Sequence, residues 1–177
     1  MESRRVATPA IACAVAVMLA SCAAPAQGTS TARTGCVSQS QATQIWTSID
    51  DRLNAIELEP HHSGLPAVTT GNAFTTITKY LQQQLVAHGF TEREVDHLDE
   101  LTVVQAGCNN GRLILNVTMT LVQDDYLNAA GKVDHQDASV GRQLNILQEY
   151  VRSGSGWKET DFSDLTPPAS SPTPQIL

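Results

Sequence analysis

The side chains able to do chemistry in this chain are few and scattered. His61 and His62 stand side by side, His97 sits among Asp96, Asp99 and Glu100, and His135 lies between Asp134 and Asp137. Imidazole and carboxylate are suitable metal donors, yet none of the three groups has a diagnostic spacing, and a solvated polar loop is the better account of each. Asp124 and Asp125 form an acidic pair, but neighbouring residues of a strand point to opposite faces, which argues against joint acid/base work. Ser153-Gly154-Ser155-Gly156 lacks the leading glycine of a nucleophile elbow and reads as a turn. The sequence contains no Gly-rich phosphate loop, no Cys-x-x-Cys pair and no H-E-x-x-H helix. These residues therefore assign no catalytic group, no metal site and no cofactor, and the chain is expected not to be an enzyme.

The cysteines say more. Arg4 and Arg5, an apolar stretch from Ile11 to Ala20 and the small residues before Cys22 make the three parts of an export signal over residues 1–21. The stretch is too short to span a bilayer, which needs about 20 apolar residues. Val6-Ala7-Thr8 after the arginine pair favours general secretion over the twin-arginine route. Leu19-Ala20-Ser21-Cys22 resembles the lipobox of bacterial lipoproteins, and the likeness is to those of Gram-positive, mycobacterial-type envelopes. That resemblance implies that Cys22 receives a diacylglyceryl group and becomes the mature N-terminus, on the outer face of the cell membrane. The alternative is an ordinary secretory signal that leaves Cys22 a free thiol. Each buried methylene of an acyl chain contributes about 0.8 kcal/mol, so two or three chains anchor firmly. Acylation of Cys22 and loss of Cys13 leave Cys36 and Cys108 as an even pair, as an oxidising compartment favours.

The whole chain has 177 residues and a formal charge of −7, and removal of the signal makes it one unit more negative. An acidic protein is a poor ligand for nucleic acid and is repelled by anionic headgroups. Residues 22–39 are largely Ala, Thr, Ser, Gly and Pro, the composition of a flexible tether. Residues 166–177 are a Pro-rich tail with the composition of a disordered segment. Between them, residues 40–165 carry the pattern of one domain.

The elements of that domain follow from periodicity. Ile45, Ile49, Leu53 and Ile56, with Trp46 beside them, predict an amphipathic helix over residues 40–57. His61 to Gly71 reads as a loop. A second helix is expected from Asn72 as its N-cap, with Phe74, Ile77, Leu81 and Leu85 on one face and Gly89 beyond its end. Thr91-Glu92-Arg93-Glu94 has the form of a capping box, with Phe90 and Val95 placed for a hydrophobic staple, and predicts a third short helix. Asn110-Gly111 predicts a hairpin between strands 101–108 and 112–123. A two-residue turn there pairs Cys108 with Leu113, Ala106 with Leu115, Val104 with Val117 and Thr102 with Met119, all on one core face. Asp124 to Asp137 is expected to be an exposed hairpin tip or long loop. Residues 142–152 fit a helix or a strand, and the Ser-Gly turn that follows favours a hairpin with 157–162.

Helices first and an antiparallel sheet afterwards is an α+β plan. Its order, closing on a strand with Trp157 and Lys158 after a Gly-rich turn, resembles the cone-like α+β domains of the nuclear transport factor two-like superfamily over about residues 40–165. The polar segment 124–137 departs from that pattern. A Cys36–Cys108 disulfide would close a loop of about 70 residues and contribute on the order of 4 kcal/mol. Cone-like domains often enclose an apolar pocket, which Trp46, Phe74, Leu81, Leu115, Val117 and Met119 would line here; a filled core is the simpler reading of the same residues. The functional expectation is a non-catalytic accessory or scaffolding lipoprotein with an envelope protein partner, or else a carrier of a small apolar molecule.

Overall fold

A computed structural model describes residues 36–60, 64–108 and 110–167. The export signal, Cys22, most of the tether, His61, His62 and the end of the tail lie outside the described residues. The domain is α+β: helices pack on one face of a five-stranded antiparallel sheet, and one disulfide joins Cys36 to Cys108. Among the described residues no helix is long and apolar enough to cross a membrane.

The first helix, α1, runs Gln39–Leu58 and begins in a full capping box. Gln41 donates its backbone N–H to Ser38 Oγ (3.3 Å), and Ser38 donates its own to Gln41 Oε1 (2.9 Å). Its buried stripe is Ala42, Trp46, Ile49 and Ile56. Just before the helix, Val37 donates a hydrogen bond to the Ala106 carbonyl (2.8 Å). A single helical turn, α2 (Leu65–Val68), opens on Pro66, whose missing N–H is harmless in a first turn. It falls inside the segment expected to be loop.

Helix α3 (Gly71–Tyr80) is capped from Thr70, so Asn72 lies within its first turn, where its amide donates to Asp161 Oδ1 (2.7 Å). A π turn (Leu81–Leu85) and a 3-10 turn (Val86–His88) extend it to Gly89, whose φ of 72° forms the left-handed stop. Leu81 and Leu85 are buried as expected, while Phe74 is 36% exposed.

The main departure from the sequence pattern comes next. No third helix forms at Thr91; that segment opens β1 (Thr91–Ala106), which runs antiparallel to β2 (Arg112–Leu127). A capping tetrad is a local preference, and pairing with a 16-residue partner overrides it. The register also differs. Ala106 pairs with Leu113, Val103 with Leu115, Leu101 with Val117 and Leu98 with Met119. Leu101 is therefore buried, whereas Val104 is 59% exposed and Thr102 faces solvent. Two features cause the shift. Gly107, at φ 64°, leads Cys108 out of the ladder to meet Cys36, and a bulge between Val103 and Gln105 changes the pairing again. Cys108 is consequently exposed and not on the core face.

Strand β2 continues through Asp124 and Asp125, which are buried at 5% and 6% exposure. Only the return beyond them is a surface hairpin, through Gly131 into β3 (Val133–Gln136). Strands β4 (Gln143–Ser153) and β5 (Gly156–Asp164) form the expected second hairpin. The sheet order is β1-β2-β4-β5, with β3 and β4 lying end to end along one side of β2. Helix α1 packs mainly on β1 and α3 on β5. Their shared core includes Trp46, Leu81, Leu85, Leu113, Leu115, Val117 and Tyr150.

Candidate functional site

Where β1 and β2 extend past the apolar core, period-2 alternation turns Glu92 and Glu94 to the same side, and the register sets Glu94 opposite Asp124. One carboxylate oxygen from each of Glu92, Glu94 and Asp124 lies within 4.8 Å of the other two. Glu92 and Asp124 are buried and Glu94 partly so. Tyr80, at the end of α3, donates its hydroxyl hydrogen to Glu92 Oε2, and Tyr126 OH lies 3.0 Å from Tyr80 OH. Since the Tyr80 hydrogen is already used, Tyr126 is the donor of that second bond. Tyr126 in turn stacks on His135, with ring centroids 4.5 Å apart.

Helix α1 brings further acid to the same seam. Asp50, Asn54 and Glu57 recur at helical spacing, and Asp50 and Glu57 both act on Glu94 or are acted on by it. Burial, then the neighbouring Glu92, pushes Glu94 up to about 8 and Asp124 up to about 7. Burial also raises Glu57 well above the usual carboxylate range, with Glu92 the next cause, and takes Asp50 to about 7 with Asp96 contributing. Tyr80 is raised too, first by burial and then by its bond to Glu92. The charges acting most strongly on Glu57, Glu94 and Asp124 are other carboxylates. Such an arrangement can share protons between its members or hold a cation.

The opposite face of the same strands is conventional. Arg93 Nη2 lies 2.7 Å from Asp125 Oδ2, and hydrogen bonds from Arg93, Gln123 and Gln136 hold Asp125 below the usual carboxylate range. Asp124 and Asp125 therefore do part company as adjacent strand residues, but neither is solvated. The sequence-level metal candidates scatter. His97 is exposed 3.9 Å from Asp99, whose carboxylate accepts from Thr120 and Gln143. Asp134 and His135 pair on exposed β3, and Asp137 accepts from the Ser139 N–H at the next turn. Asp96 is the member that reaches the acidic seam, where its Oδ2 is enclosed without a hydrogen-bond partner. Glu57, Glu92 and Glu94 were invisible as a group in the sequence; the signal that could have found them is alternation in 92–96 together with the polar stripe at 50, 54 and 57.

Of the six apolar residues considered for a pocket, Trp46, Leu81, Leu115, Val117 and Met119 belong to one packed cluster, at 0–8% exposure. Phe74 stands outside it. An open groove of about 530 Å³ lies instead beside the disulfide, lined by Cys36, Ile45, Ile49, Arg52, Arg152 and Trp157 among others. There the Arg152 guanidinium sits over the Trp157 ring, 5.8 Å from its centroid.

No family model matches this chain, and no curated protein matches it. Among solved structures, the intermembrane space region of the chloroplast protein ARC6 is similar over 74% of this chain and 98% of its own, at 18% identity and a TM-score of 0.57. Aln2 from a Streptomyces species is similar over 72% of this chain and 92% of its own, at 13% identity and a TM-score of 0.50. At these identities the likeness is one of fold: a globular α+β domain, compatible with a cone-like arrangement.

Proposed function

We propose that this chain is a lipoprotein of a mycobacterial-type cell envelope, anchored through acylated Cys22 on the outer face of the cell membrane. Its α+β domain acts there without catalysis, as an accessory or scaffolding partner of another envelope protein. The observation that carries the reading is Leu19-Ala20-Ser21-Cys22 at the end of an export signal. The Cys36–Cys108 disulfide supports it, because such bonds persist in oxidising compartments and are rare in the cytosol. The tether between Cys22 and Cys36 supplies reach, and the acidity of the chain keeps the domain off anionic lipid.

Membrane fractionation of cells expressing the full chain and its Cys22→Ala variant tests the anchor. The parent should sediment with membranes and partition into detergent, and the variant should appear in the soluble exported fraction. Retention of the variant in the detergent-extractable membrane fraction would refute the reading. Native mass spectrometry of the released variant tests the accessory role against the carrier role, since a co-purifying apolar mass would replace the first with the second.

A further inference from the structure

We propose that Glu92, Glu94 and Asp124 form a binding site for one divalent cation of the hard, oxygen-seeking kind, with Ca²⁺ the best fit. Three carboxylates from two paired strands converge within 4.8 Å, a spacing set by alternation and register. Hard cations take carboxylate oxygens, and Ca²⁺ tolerates irregular coordination better than Mg²⁺ does.

A second observation is independent of that convergence. Asp124 is 5% exposed, and its Oδ1 is sealed from solvent with no hydrogen-bond donor in reach. Leaving a buried oxygen without a partner is costly: Tyr80 donates to Glu92, and the group that Asp124 itself meets is the Glu92 carboxyl, which when ionised has no hydrogen to give. A cation seated among the three carboxylates would satisfy the orphan oxygen and the like charges together. A cavity of about 460 Å³ between α1 and β1 reaches the cluster at Glu94 and is lined besides by Asp50, Asp51, Asn54 and Asp96. Its acidic mouth would draw cations inward. Glu57 lies near the same carboxylates on α1, where burial and their charges favour its protonated form.

The test is calorimetric titration of CaCl₂ into the full-length chain after chelator treatment at neutral pH, with thermal unfolding read in parallel. One Ca²⁺ per chain should bind, with a Kd of about 0.1–1 mM as in other extracellular modules, and the melting temperature should rise as Ca²⁺ is added. Glu94→Gln and Asp124→Asn should each weaken binding by about tenfold or more, since affinity follows the count of charged ligands. Asp134→Asn, on exposed β3, should leave it unchanged. If the carboxyls only share protons, the parent will show neither heat nor a melting shift with Ca²⁺, and both cluster variants will melt above the parent without it. That result overturns the proposal, as does saturable binding that survives both substitutions. The parent titration stands even if a variant fails to fold.

Discussion

Glu159 in the middle of β5 is 2% exposed, and a carboxyl so placed ties stability to pH. Its Oε1 accepts a hydrogen bond from Gln148 Nε2 (3.0 Å), which itself accepts through Oε1 from Tyr150 OH (3.1 Å). Burial nevertheless dominates and pushes Glu159 up to about 7 from an ordinary 4.5, with Asp50 adding repulsion. The folded chain therefore holds this proton more tightly than the unfolded chain does. Stability contributed by the protonated form is complete below the unfolded value and is lost as pH rises through the folded one. A rise of this size corresponds to about 3 kcal/mol between pH ~4 and pH ~8. Glu159→Gln keeps the shape and the acceptor for Gln148 but cannot ionise. The variant should match its parent near pH 4 and exceed it by up to about 3 kcal/mol near pH 8. Urea unfolding followed by the fluorescence of Trp46 and Trp157 across that range measures the difference. Parallel stability curves for the two proteins at all pH values would refute the argument, because they would mean that Glu159 ionises with the same affinity in both states.

The disulfide and its turn give two further expectations. Cys36→Ser and Cys108→Ser should each lower stability by about 4 kcal/mol, and the double substitution by no more, since either change opens the same 72-residue loop; unequal losses in melting temperature would show that one cysteine acts through packing. Gly107→Ala should destabilise by about 2 kcal/mol or more, because the residue holds φ at 64° and an added Cβ would lie 2.8 Å from Trp157 Cη2; retained melting temperature in that variant would show that the turn relaxes freely.

How much of this was legible depended on where the information lay along the chain. The stripe through Trp46, Ile49 and Ile56 is periodic over about three turns, and no competing pattern obscures it, so α1 was readable to within two residues. Asn110-Gly111 and the Ser-Gly turn marked both long hairpins because turn chemistry is local. Thr91 to Glu94 failed for the same reason: its local preference is helical, and only the distant strand 112–127 makes it extended. The register of β1 was hidden by the disulfide, which diverts Gly107 and Cys108, and by bulges that no residue type announces. The acidic seam was the least legible of all, since residues 57, 92, 94 and 124 become neighbours only once α1 crosses β1 and that register is set.

The junction at Cys36 also decides how the domain would bear load. Tension entering from the N-terminal side reaches Cys36 before it reaches α1, and there the covalent bond to Cys108 diverts it into the connection between β1 and β2. Those two strands carry the longest ladder in the sheet, fourteen paired positions in all, with α1 beyond the branch point and out of the line of force. Pulling on the oxidised chain would then leave α1 outside the loaded path, whereas a reduced chain would first peel Val37 from Ala106 and unravel α1 from its cap. The oxidised domain should in consequence keep α1 folded under a pull that unravels it once the disulfide is reduced.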